Sequence, residues 1–211
     1  NSVGLYNAYL ALGDHERSVT LLANLGASTL DLALVRGTDL HFARSVTTGL
    51  EKLDRLLAER LGVDAARAER LIRKHLDLGA ALGRRLEPDA DRVTRPLLSL
   101  YEPLPTLLSS AVTLCKAQAR LRELQLDRVL LCGGAANTAG LADFLTERLR
   151  VPVTVWNPAE LVDASALPAE QAAALEADGP GAAVALGLAL SAADPGLFAL
   201  EILAERARKQ R

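Results

Sequence analysis

Residues 21–35, Leu-Leu-Ala-Asn-Leu-Gly-Ala-Ser-Thr-Leu-Asp-Leu-Ala-Leu-Val, read as two short apolar strands folded about a turn of small residues. Gly26 lets the turn take a positive φ and leaves no Cβ to hold a ligand away from the main-chain amides. Ser28 and Thr29 add hydroxyl donors where a terminal phosphate would sit, and Asn24 is the one polar side chain just before the turn. The segment therefore has the chemistry of a phosphate-binding hairpin, and equally that of an ordinary glycine turn. Asp31 supplies one step of strand alternation in the second arm.

A third strand is expected over residues 40–47, completing a small antiparallel sheet, after which the spacing becomes helical. Leu50, Leu53, Leu56, Leu57 and Leu61 form one face of a helix that stops at Gly62. Asp64 is a good N-cap for a second helix, extending to about residue 78, that presents Ala68, Leu71, Ile72 and His75 on one side. Residues 83–95 are polar and contain proline. A long helical region then extends to about residue 126, with Pro96, Pro103 and Pro105 breaking its first part and a clean stretch over 106–124.

Residues 127–132 read as a buried strand, followed by Gly133-Gly134 and a helix over about 139–149. Paired glycines after a buried strand let a flat or anionic group lie against bare backbone, and the helix N-terminus adds a positive dipole. A plain tight turn fits the same residues. Residues 152–156 form a further strand, and the remainder is alanine-rich helix, including 181–190.

Composition excludes some function classes. The net charge is −2 and only 3% of residues are aromatic, so neither a basic field nor a stacking platform for nucleic acid exists. Cys115 and Cys132 lack CxxC spacing, which argues against a zinc site or disulfide framework and fits a reducing cytoplasm. No run of about 18 uninterrupted apolar residues is present. His15, His41 and His75 are scattered and read as surface or structural residues, and no catalytic residue is assigned. Opening on Asn1, the chain has the look of a fragment.

One more segment, Ala68-Glu69-Arg70-Leu71-Ile72-Arg73, places an acid and a base at i and i+4 on one helix face. Hairpin, acid/base helix and double-glycine turn, in that order, resemble the nucleotide site of the actin-like ATPase superfamily. The second phosphate motif of that superfamily, Asp-Ile/Leu-Gly-x-x-Thr, is matched by residues 24–29 except that Asn24 replaces the acid. Its Ala-Glu-x-x-Lys helix motif is resembled by residues 68–73, with Arg73 for Lys one position further along. Its adenosine motif is matched by Gly133, Gly134, Gly140 and Leu141, with Ala135 beside the double glycine. Within the superfamily, residues 142–158 and 181–190 are similar to the second half of the type IV pilus assembly protein PilM family.

The resemblance implies an α/β fold: an actin-like, ribonuclease H-like lobe with a mixed sheet flanked by helices and a mainly helical inserted subdomain. Residues 1–48 and 126–203 would form the lobe, 49–125 the insert, and 204–211 a basic tail, with residues 1–10 near the connection between halves. Asn24, Gly26, Ser28, Thr29, Glu69, Arg73, Gly133, Gly134 and Ala135 would contact nucleotide. ATP with Mg²⁺ is expected for the intact protein, Asn24 reaching the metal only through water, and this half alone is not required to hold nucleotide. Exchanging the acid for Asn24 weakens the case for hydrolysis more than for binding. Half of a working ATPase or small-molecule kinase, and a degenerate module acting only in assembly, are the alternatives. The implied partners are a PilN-like inner-membrane protein, docking mainly on the first lobe that this chain lacks, other pilus assembly proteins and a homo-oligomer. The implied location is cytoplasmic and peripheral at the inner membrane. Four basic residues among the last six either compensate a helix dipole or flank a membrane segment beyond Arg211.

Overall fold

A computed structural model describes residues 1–119 and 124–198. The hairpin forms as β1 (Val19–Leu25) and β2 (Thr29–Arg36), antiparallel with Asn24 opposite Asp31 and Leu25 opposite Leu30. β3 (Asp39–Thr47) continues the meander on the outer edge. β4 (Arg128–Cys132) enters beside β1 in parallel, bringing Cys132 opposite Asn24, and β5 (Val153–Val155) follows parallel to β4. The mixed sheet has the order β3-β2-β1-β4-β5.

The central strands are almost continuously buried because helices cover both faces of the sheet. The period-2 alternation of a strand sorts their side chains. Leu21, Ala23, Leu25, Leu30, Leu32, Leu34, Val129 and Leu131 join one core, while Leu22, Ala33, Val35 and Cys132 join the other. β3 is mostly exposed and polar. Its register shifts opposite Leu34/Val35, beside His41, whose Nε2 is buried without a hydrogen bond among the described residues.

The larger core is covered by the helices that separate β3 from β4. After a 3₁₀ turn at Leu50–Lys52, α2 (Leu53–Leu61) ends on Gly62 at φ 65°. Asp64 caps α3 (Ala65–His75), its Oδ1 accepting the Arg67 amide at 2.7 Å. This helix stops at His75, short of the expected 78. Asp77 instead accepts the Gly79 amide on its own side chain, and the Leu78 amide donates to the Ala139 carbonyl at 2.8 Å, so tertiary pairing takes the backbone out of the helix. The polar stretch 83–95 contains a short helix, α4 (Pro88–Thr94), with Pro88 in its first turn. The remaining prolines do break the chain, into α5 (Leu98–Tyr101) and α6 (Leu104–Ala119), and α6 packs across β2 and β3. The expected continuation past Ala119 is described only from residue 124 onward, where the chain is not helical.

The smaller core lies under α1 (Ser2–Leu12) and α9 (Ala183–Ala193). These two helices touch backbone to backbone: a Cβ on Gly187 would fall 1.8 Å from the Gly4 carbonyl oxygen. Asn7, fully buried, donates from Nδ2 to the Phe198 carbonyl and accepts the Phe198 amide on Oδ1. α7 (Leu141–Leu149) follows the glycine turn, and α8 (Ala169–Ala177) lies between β5 and α9. The basic segment 204–211 lies outside the described residues.

Candidate functional site

The hairpin tip is closed by its own backbone. The Gly26 amide donates to the Thr29 carbonyl at 2.9 Å, while Thr48 binds from outside, its amide to the Ser28 carbonyl and its Oγ1 to the Ala27 carbonyl. Ala27 and Ser28 are exposed, and Gly26 and Thr29 half-buried.

The double-glycine turn lies directly against the base of that hairpin. Gly133 sits at φ 95°, and a Cβ there would fall 2.5 Å from the Leu25 carbonyl oxygen, 2.7 Å from the Leu25 nitrogen and 2.8 Å from Asn24 Oδ1. Only glycine allows the approach. The Ala135 amide donates to the Leu25 carbonyl at 3.2 Å, and the Gly133 amide to the Pro180 carbonyl at 2.8 Å. Gly134 is different: it is exposed, and a Cβ added to it would meet nothing within 4 Å. Bare backbone therefore faces solvent immediately beside the hairpin. Under the turn, the Tyr101 phenol is pushed up by burial, a hydrogen bond with Thr138 working against the shift.

Asn24, Gly26, Ser28, Thr29, Gly133, Gly134 and Ala135 thus belong to one neighbourhood. The structure does not bring Glu69 and Arg73 into it by any hydrogen bond or ion pair among the described residues. They pair with each other, Nη2 to Oε1 at 2.8 Å, on the exposed side of α3. What reaches the glycine turn from α3 is the segment after it: a Cβ on Gly140 would meet the Gly79 nitrogen at 2.5 Å and Asp77 Oδ1 at 2.9 Å. A shallow groove lined by Leu61, Val63, Arg67, Leu71 and α4 residues lies elsewhere and shares no residue with the hairpin.

Sequence reasoning missed Asp31 as a site residue. At 1% exposure it is the buried carboxylate of the described residues, and three donors converge on it. Asn1 Nδ2 and Asn24 Nδ2 both reach Oδ2 at 3.1 Å, and Ser45 Oγ makes a short hydrogen bond to Oδ1. Asn24 Oδ1 in turn faces the Cys132 thiol at 3.9 Å. That thiol is pushed up to about 12, first by burial and then by the Asp31 charge. The available signal was a lone acid in an otherwise apolar strand, in the register that a three-residue turn places opposite Asn24.

These residues do not fit a directly coordinated divalent ion. No group of three or more His, Cys, Asp or Glu among the described residues could hold one, and the Asp31 oxygens are already engaged by donors. No single described helix is long and apolar enough to cross a membrane, although α8 and the helical stretch Gly179–Ala193 pass that test as a pair bent by 97°.

The family described as type IV pilus assembly protein PilM matches residues 1–193. No curated protein sequence matches the chain. Among solved structures, a PilM–PilN type IV pilus biogenesis complex is similar at 26% identity and a TM-score of 0.68, covering 92% of this chain and 52% of that one. MreB5 of Spiroplasma citri bound to ADP is 13% identical at a TM-score of 0.58, covering 89% and 57%. An archaeal actin homolog is 14% identical at 0.52, covering 90% and 54%. The fold is that of the actin-like ATPases, and the chain spans about half the length of the solved structures it resembles.

Proposed function

The chain belongs to the family of the type IV pilus assembly protein PilM, and from that membership we propose that it is the ATP-binding half of a cytoplasmic scaffold in type IV pilus assembly or related secretion machinery, with weak or no hydrolysis. The observation that carries this reading is the junction at Leu25, whose backbone meets both Gly133 and Ala135 and so fastens the hairpin to a turn with an open face at Gly134. A polyphosphate at the exposed tip, Ala27 and Ser28, and a purine over Gly134 would occupy adjacent surfaces. Nucleotide named with relatives such as MreB5 supports ATP as the ligand.

Weak turnover follows from charge. Phosphoryl transfer depends on placed negative groups and metal. Here position 24 is an amide, and the neighbouring carboxylate, Asp31, is buried behind three donors. The same fact favours a second reading, in which the module serves assembly alone and binds no nucleotide. In either case the lobe would comprise residues 1–48 and 126–203, with 49–125 inserted. A PilN-like inner-membrane protein, the kind of partner named with the solved complex, would dock mainly on a preceding lobe.

Calorimetry with ATP on the full-length protein separates the two readings. Binding is expected, and Gly134→Val is expected to weaken it at least about tenfold, roughly 1.4 kcal/mol, by filling the purine approach while the fold is retained. Unchanged affinity in the variant removes the purine from Gly134. Absence of binding in the parent protein selects the assembly-only reading.

A further inference from the structure

A buried carboxylate needs compensation, from a cation or from hydrogen-bond donors. Asp31 sits in the second arm of the hairpin at 1% exposure, and its cross-strand neighbour is Asn24. The Asn24 amide nitrogen and the Asn1 amide nitrogen share Oδ2, and the Ser45 hydroxyl takes Oδ1. These donors come from β1, from the residue preceding α1, and from β3, so one carboxylate ties three elements to β2 at the end of the sheet where the hairpin turns. The other side of Asn24 is closed as well: its Oδ1 faces the Cys132 thiol and lies 2.8 Å from where a Cβ on Gly133 would be.

We propose that Asn24 replaces a cation in this hairpin, and that this lobe therefore takes a polyphosphate without lending a carboxylate to a divalent ion. Two acids facing each other at positions 24 and 31 would repel, and an ion or a shared proton would be needed to close the strands. An amide opposite the acid closes them with a hydrogen bond. It removes one charge and occupies the oxygen that the remaining charge would offer. The hairpin is thus complete before any metal arrives, and its tip at residues 26–29 is set by protein contacts alone. The statement about the polyphosphate rests on the nucleotide reading above, whereas the statement about the hairpin does not.

The test uses the full-length protein without nucleotide, melted in chelator and in millimolar Mg²⁺. The parent protein should shift by no more than about 2 °C between the two conditions. Asn24→Asp should melt roughly 4–10 °C lower in chelator and regain at least half of that loss in Mg²⁺. The exchanged pair, Asn24→Asp with Asp31→Asn, restores an amide opposite an acid. It should recover stability in chelator and ignore Mg²⁺. The inference is overturned if the parent gains as much from Mg²⁺ as the single variant does. It fails equally if Asn24→Asp is undiminished in chelator or stays unfolded in Mg²⁺, or if the exchanged pair recovers nothing. Calorimetry with ATP then compares affinities with and without Mg²⁺, and the ratio should be at least about threefold larger in Asn24→Asp than in the parent. Equal ratios overturn the polyphosphate statement. If neither protein binds ATP, the nucleotide reading falls, and the melting series still decides the hairpin.

Discussion

Cys132 shows how one buried side chain reports on its neighbours. It stands opposite Asn24 in the parallel β1–β4 pairing, is fully buried, and has its thiol raised from 9.0 to about 12 by burial and by the negative Asp31. A thiol whose folded value lies above its unfolded one holds its proton more tightly when folded. Folding is then favoured below pH 9, and the benefit is lost as pH rises from 9 toward 12. Tyr101 and Cys115, also raised by burial, act in the same direction. The Cys132 share is isolated by comparing urea midpoints of the parent and Cys132→Ala at several pH values in that window. The parent should lose stability faster with rising pH, and parallel curves would show that the thiol does not ionise against Asp31. Gly133, next in the chain, carries a different constraint: its φ of 95° and the Leu25 backbone at 2.5 Å leave no room for any side chain.

At the scale of elements, two contacts make the site what it is. One is the hairpin against the glycine turn; the other is the segment 77–79, just after α3, against Gly140. Behind the sheet, α1 and α9 cross at Gly4 and Gly187, closer than any pair with Cβ atoms at the crossing could come. Gly187→Val places two methyl groups where the Gly4 carbonyl sits, so the helices must separate and the smaller core opens. Overpacking of this kind costs about 1–3 kcal/mol, and in a protein of this size the melting temperature should fall by roughly 2–10 °C. Differential scanning calorimetry measures it directly. An unchanged transition would mean that α1 and α9 are not held together as described.

On the scale of the whole molecule, the insert and the sheet share a core: Leu57, Ala68, Leu97, Tyr101 and Leu108 from the helices lie in one cluster with Leu21, Leu32 and Val129 from the strands. The single tryptophan, Trp156, is packed edge-on against Tyr9 at 6.3 Å on the opposite face. Its fluorescence should therefore report the same event as far-UV circular dichroism, which is dominated by the helices. Coincident urea transitions are expected. Two separated transitions would show residues 49–125 unfolding apart from the sheet.

Local pattern was enough to read the hairpin, the third strand, the Gly62 and Asp64 helix boundaries and the strand–glycine–helix unit, because each is written in periodicity and in turn and cap residues, although Gly26 does not take the positive φ expected of it. The end of α3 was not legible, since a hydrogen bond from Leu78 to Ala139, far away in sequence, takes that backbone out of the helix. Nor was α4 within a polar stretch, or the role of α1, whose apolar run has no amphipathic face because both its sides are buried by the sheet and α9. Asn24 was legible as the missing acid, from its place before Gly26-Ala27-Ser28-Thr29. Its consequence was not. By itself the sequence determined the chemistry available at each position: an amide at 24, an acid at 31, no Cβ at 133 and 134. Only the tertiary structure decided which of these meet, because strand register, a parallel crossover and a helix crossing are set by contacts between residues distant in the chain. It is that register which turns Asn24 from a lost charge into the donor that holds Asp31.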